Sequence, residues 1–287
     1  MKRFVLGMTT ALAATVSATP ADSCAVKNSK VEVFLGAELH YRDIYFNKMY
    51  EVLVNLSPGV KWHLGRKWMF AAQALVPVYN DYGARYKKVR LNMAVLSKEW
   101  AWKRKNFLKV SGGLFGMERY GLDAKWMWTP AKWFATEAQV GWTGFCSMVA
   151  GWEASTMERF SALAGIRFYI PKYDTEFQIR GGRFLYEDNG VQAEAMRHFK
   201  HCTVGVYAQY TDVGGENGGF KVVVMIPQVK AGNKKVCIRP ASNFRLTYNI
   251  EGQRMGAKMY PTDPEENEQD GWFDSEEMTW GAKGGRP

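Results

Sequence analysis

Histidine and cysteine are scarce in this chain, four of each in 287 residues, and they crowd at one place, His198-Phe199-Lys200-His201-Cys202. Imidazole and thiolate are zinc ligands, but Phe199-Lys200 reads as a hairpin tip, and no CxxC or third ligand lies nearby. His40 and His63 are isolated. A hydrolytic site needs Ser, His and a carboxylate or amide together. Ser147, Ser155 and Ser161 lie far from any histidine in sequence, and no GxSxG is present. Gly214-Gly215-Glu216-Asn217-Gly218-Gly219 lacks the Lys-Ser/Thr of a phosphate loop and reads as a flexible hairpin tip. The expectation is a non-catalytic chain with no metal and no cofactor.

The polar residues that remain alternate with apolar ones. Phe160, Ala162, Ala164, Ile166, Phe168 and Ile170 share one parity, as do Phe134, Ala138, Val140 and Trp142 opposite Glu137 and Gln139. The same period of two recurs over 190–198, 203–211 and 244–250, and over Tyr50 to Leu56 and Trp68 to Val76. About a dozen such segments of roughly ten residues are separated by turn signals. Among these are Ser57-Pro58-Gly59, Asn80-Asp81-Tyr82-Gly83, Pro171-Lys172-Tyr173-Asp174 and Glu187-Asp188-Asn189-Gly190. Aromatics stand near strand ends: Tyr41, Trp62, Trp68, Trp100, Trp102, Trp126, Trp128, Tyr169, Tyr173, Tyr186 and Tyr210.

Such strands, apolar on one face and ringed by aromatics, predict an all-β fold, a transmembrane antiparallel β-barrel of roughly 12 strands. In hydrocarbon only a closed sheet pairs every backbone group. A soluble β-sandwich also alternates, but its strands are usually shorter, about 5–6 residues, and its outer faces carry more Lys and Glu. Met1-Lys2-Arg3, the apolar stretch to Val16 and the small residues at Val16-Ser17-Ala18 predict a cleaved signal peptide over 1–18. A lipoprotein anchored at Cys24 is the lesser alternative, because Ala21-Asp22-Ser23 departs from that motif. The expected organisation is a leader at 1–18, a short lead at 19–30, the barrel at 31–250 and an acidic tail at 251–287.

Strand parity places Glu137, Gln139, Gln178, Arg180, Gln192, Glu194, Tyr207, Gln209, Arg245 and Asn249 on the lumen face. Amides, charges and aromatics suit hydroxyl-rich sugars, and equally they can fill a small barrel by pairing with one another. The formal charge of +10 is uneven: residues 263–287 hold 8 acids and 2 bases, so residues 1–262 carry +16. Basic clusters at Lys103-Arg104-Lys105 and Arg85-Tyr86-Lys87-Lys88 would meet lipopolysaccharide phosphates, acidic sugars or solvent rather than nucleic acid in an exported chain. The tail, with Trp272, Phe273, Met278 and Trp280 as anchors, is expected to dock a basic periplasmic partner, fold back on the barrel's own basic rim, or stay solvated. Cys146 and Cys202 fall on lipid-facing parity and Cys237 on the opposite face, with no structural disulfide expected.

Residues 181–227 carry Gly182-Arg183-Phe184-Leu185, Asp188, Gly190-Val191, Glu194, Arg197, Tyr210-Thr211-Asp212 and Ile226-Pro227, followed by Arg239-Pro240 and Phe244-Arg245-Leu246. This pattern resembles the YjbH family over about 165–250, with Leu75 to Asp81 as a further match upstream. The resemblance implies a Gram-negative outer-membrane β-barrel tied to exopolysaccharide or capsule production, working with lipoprotein or periplasmic partners and with polysaccharide. Family members are longer, with two barrel-like halves, and this chain resembles the second. Gly182, Arg183, Phe184, Asp188, Gly190, Arg197, Arg239 and Pro240 are the residues the resemblance singles out. The expected function is therefore non-catalytic participation in polysaccharide export or assembly. A generic porin or adhesion barrel is the alternative, and a lipid- or sugar-modifying enzyme the more distant one.

Overall fold

A computed structural model describes residues 30–44, 48–102, 105–149, 151–199, 201–228, 231–232, 235–249 and 258–266. The expected leader, Cys24, and residues 267–287 of the tail lie outside them. The described chain is all-β, with only two short 3-10 turns at Ala84–Lys87 and Pro171–Tyr173. Among the described residues no helix is long and apolar enough to cross a membrane, which says nothing about crossing with strands.

The strands are β1 (Val31–Ile44), β2 (Lys48–Gly65), β3 (Trp68–Asn80), β4 (Arg90–Trp102), β5 (Asn106–Phe115), β6 (Arg119–Ala131), β7 (Phe134–Ser147), β8 (Glu153–Ala154), β9 (Arg159–Ile170), β10 (Thr175–Arg183), β11 (Asn189–His198), β12 (Cys202–Thr211), β13 (Gly215–Met225), β14 (Ala231–Gly232), β15 (Val236–Pro240) and β16 (Asn243–Asn249). From β1 to β13 each long strand pairs antiparallel with the next, and β16 pairs with β13.

The sheet does not close through an antiparallel ladder, and the reason is arithmetic. Thirteen of the described strands have seven residues or more, so the first and last of an up-and-down series point the same way. An even number, as the sequence suggests, would close antiparallel. Instead, β15 pairs parallel with β1 over Val31–Leu35, and the chain bends at Ala241-Ser242 to pair β16 with β13. Among the described residues β16 lies beside β1 without a ladder to it, and the hydrogen-bonded path ends at β14 and β16.

Two turn signals are absorbed into strands. Ser57-Pro58-Gly59 lies within β2, where Pro58 pairs opposite Leu35 and the bare face of Gly59 accepts the Phe34 ring. Gly215 to Gly219 opens β13 opposite Thr211 to Tyr207, so the hairpin tip is only 212–214. The turns form two rims. One holds the hairpins at 65–68, 103–105, 132–133, 171–174 and 199–201; the other holds 81–89, 116–118, 148–158, 184–188 and 212–214.

Candidate functional site: the polar interior

Burial alternates with the strand period and is inverted relative to a soluble protein. Lys109, Lys125 and Arg167 are at most 1% exposed, whereas Leu122, Val191 and Val206 on the opposite face are each more than 50% exposed. Trp62, Trp68, Trp100, Trp102, Tyr173 and Tyr210 are exposed near strand ends, and Trp126 and Trp128 are half-buried. Tyr169 and Tyr186 depart from the expected girdle. The Tyr169 ring points inward beside His198, with its hydroxyl donating to Asp174, and Tyr186 packs against the inner cluster of Met93, Phe115 and Leu185.

Seven of the ten parity-assigned residues are buried on the inner face: Glu137, Gln139, Gln178, Arg180, Gln192, Glu194 and Tyr207. Gln209 is half-buried. Register sets Arg245 opposite buried Val223, but its side chain is exposed, because β16 sits at the imperfect seam. Asn249 pairs with Gly219, and its side chain lies outside the described set.

Most of these residues answer one another across strands. Arg167 donates to Glu137 at 2.5 Å and to Glu176 at 3.4 Å, and Gln178 donates to Glu137 as well. Arg180 donates to Gln192 at 2.9 Å, while Glu194 accepts from Lys221 at 2.6 Å. His198 is buried between Glu176, 3.2 Å from Nε2, and Thr203, 3.0 Å from Nδ1, so cross-strand neighbours occupy both ring nitrogens. Among the described residues no group of three His, Cys, Asp or Glu is placed to hold a metal.

A second sector of the interior escapes sequence reasoning. Lys109 and Lys125 face each other directly across β5 and β6, both buried. Two ammonium groups so placed repel unless anions are supplied. Glu99 supplies one, 3.7 Å from Lys109. Asp123, two residues before Lys125 on the same face of β6, is a second, and Lys258–Glu266, a strap that enters the interior from the second rim, brings more. Leu185 N–H donates to Lys258 O at 3.2 Å and Gly116 N–H to Pro261 O at 3.1 Å.

Further along the strap, Lys61 pairs with Asp263 at 2.8 Å and Lys125 with Glu266. Arg239 forks onto Glu265 at 2.7 and 2.6 Å while its Nε donates to Glu32 at 2.8 Å. Burial would push the Glu265 carboxyl up, but Arg239, Lys61 and the Ser242 N–H hold it below its ordinary value.

Bare backbone makes room for this segment. A Cβ at Gly141 would strike the Tyr260 hydroxyl, and one at Gly116 would sit 2.6 Å from the Pro261 ring. Tyr260 stacks on Phe115, with centroids 5.3 Å apart, and donates to Asp123 at 3.0 Å. Burial, reinforced by the Asp123 carboxylate, pushes its hydroxyl far up, so it remains a donor. The inward parity of Lys109 and Lys125 was legible beside Leu108 and Val110. A partner 141 residues away, Glu266 for Lys125, was not.

The family-pattern residues from Gly182 to Gly190 build the rim on which the strap rests. Gly182, at φ +138°, stands opposite Gly190, and Phe184 packs with Leu163 beneath Met259. Asp188 accepts from the N–H groups of Val213 at 2.8 Å and Gly214 at 3.1 Å, tying two turns of that rim together. Arg183 reaches Glu187 at 3.0 Å, Arg197 is exposed over the Phe199 ring, and Pro240 pairs with Leu35.

The cysteines divide differently from their parity. Cys146 is buried because the 148–158 loop folds back and sets Ala154 beside it, Cys202 is half-buried and Cys237 is buried. All three are free thiols.

No curated protein and no solved structure matches the chain. The family model described as "Exopolysaccharide biosynthesis protein YbjH" matches residues 77–227, from β3 through β13 and across the rim that holds the strap, and the chain belongs to this family, YjbH, whose role is in exopolysaccharide biosynthesis.

Proposed function

We propose that this protein is a non-catalytic β-barrel of the Gram-negative outer membrane that takes part in exopolysaccharide or capsule export or assembly. The observation that carries this reading is the inverted sheet: one face buries lysines, arginines and carboxylates in cross-strand pairs, and the other exposes Leu, Val, Ile and Phe. Water would not favour that exposed face, whereas lipid would, and an interior of polar groups is what such barrels keep. The family supplies the polysaccharide context. The predicted leader at 1–18 would deliver the chain to the envelope, and lipopolysaccharide, polysaccharide and periplasmic or lipoprotein partners would be its company.

The test is fractionation of cells expressing the full chain, followed by electrophoresis with and without heating. Recovery in the outer-membrane fraction, with a band that migrates faster before boiling, is the expected result. Recovery as a soluble, detergent-free protein would overturn the membrane reading. Unchanged polysaccharide output in a deletion strain would overturn the functional one.

A further inference from the structure

The strap and the cations beneath it resemble a ligand on its site. We propose that Lys61, Lys109, Lys125 and Arg239 form a binding site for carboxylate-bearing sugar chains, and that Lys258–Glu266 is a tethered competitor for that site. The proposal deepens the polysaccharide reading above and rests on it for the class of ligand.

Three observations carry it. First, the sheet register sets two ammonium groups, Lys109 and Lys125, directly opposite each other on the inner face, a pair that attracts anions. Second, what meets that attraction is a turn, closed by Glu266 N–H donating to Asp263 O at 3.0 Å, that clusters carboxylates at 263, 265 and 266, as neighbouring sugars of a uronic-acid polymer would cluster theirs. The planar fork of Arg239 on Glu265 is matched to a carboxylate. Third, polar groups suited to hydroxyls stand beside the cations. Ser111 and Asp123 are paired across β5 and β6 and buried, and Ser111 Oγ and Asp123 Oδ1 have no protein partner. Phe115, now covered by the Tyr260 ring, offers a face on which a sugar ring can stack.

The strap can also leave without breaking the sheet. Among the described residues it belongs to no ladder, and its backbone–backbone hydrogen bonds to the sheet are those from Leu185 and Gly116. An acidic polymer entering the lumen would exchange one set of carboxylates for another, so the charge balance of the interior would be kept.

The probe is oligogalacturonate, with neutral dextran as control, added to the purified full chain in detergent. We expect weak binding to the unaltered protein. The triple variant Asp263→Asn, Glu265→Gln, Glu266→Gln should bind at least tenfold more tightly, and adding Lys109→Gln and Lys125→Gln should abolish the gain. Dextran should not bind. Equal affinity of the triple variant and the unaltered chain, or a gain that survives loss of both lysines, would overturn the proposal.

A second measurement needs no variant: saturating oligogalacturonate should lower amide-exchange protection at Gly116 and Leu185 in the unaltered protein, and unchanged protection would overturn displacement. The heat-shift gel stands apart from both. A soluble protein that still gains oligogalacturonate affinity would sink the membrane reading and leave the site intact.

Discussion

At the scale of residues, the interior is a set of charges that must be paired to be tolerated. Arg167 is fully buried between Glu137 and Glu176. Its replacement by Ala would take the shared guanidinium from both carboxylates and leave them Gln178 and His198, at a cost of about 3–5 kcal/mol, whereas removing the whole set for apolar groups would cost far less. We expect Arg167→Ala to lower the temperature at which the heat-shift gel shows unfolding, and to do so much more than Arg197→Ala, whose guanidinium is exposed. Glu265 sets a pH limit. Its carboxyl is held below its ordinary value in the folded chain, so its contribution is complete above the unfolded carboxylate value, about 4.3, and is lost as pH falls through the folded one. Exchange protection at Gly116, corrected for the intrinsic rate, should therefore be constant from neutral pH down to about 5 and fall below about 4. In Glu265→Gln that acid-dependent step should shrink.

At the scale of elements, the sheet bends where glycine permits it. Gly113 and Gly121 are directly paired across β5 and β6, at φ +139° and +148°, and a Cβ on either would collide with a carbonyl of the adjoining strand, Ala94 or Trp142. Each substitution by Ala should cost about 1–3 kcal/mol in backbone strain alone. Gly151→Ala, where nothing lies within contact range, should be close to neutral. Comparison of denaturation midpoints for the three variants checks this. The same logic explains why Ser57-Pro58-Gly59 stays extended. A proline and a glycine read as a turn only if nothing else needs that backbone, and here β1 pairs along it while Phe34 fills the space above Gly59.

At the scale of the whole molecule, the outward face distinguishes lipid from water. Val206 lies in the middle of β12 and is 59% exposed. On the membrane reading, Val206→Arg should cost about 2–4 kcal/mol if it sits near the bilayer midplane, and should reduce the folded fraction on the heat-shift gel. In a protein surrounded by water the same change would be within about 0.5 kcal/mol of neutral. The thirteen-strand count has its own consequence. Because the seam between β1 and the 236–249 segment is parallel and short, it should be the first part of the sheet to open. Amide exchange should then be faster at Val31 and Ala241, which bond across it, than at residues in the centre of β6 and β7.

The alternation of Phe160 to Ile170, of 134–142 and of 203–211 determined by itself that this chain is built of long strands with one polar and one apolar face, because the side-chain period of a strand is a local property. The inward assignment of Glu137, Gln178, Arg180 and Glu194 came from the same parity. Which inner residues pair could not be read that way, since Arg167 meets Glu176 across one hairpin, but Lys125 meets Glu266 only once the strap has folded against the inner face. The seam is likewise a property of the sum: one strand more or fewer changes its direction, and no local pattern counts to thirteen. Read as sequence, the acidic stretch after residue 260 was a tail seeking a base; tertiary structure decided that, for residues 258–266, the bases are those of its own interior. Charge complementarity between distant segments has no sequence period, and only the curled sheet brings it within the few ångströms over which ion pairs act.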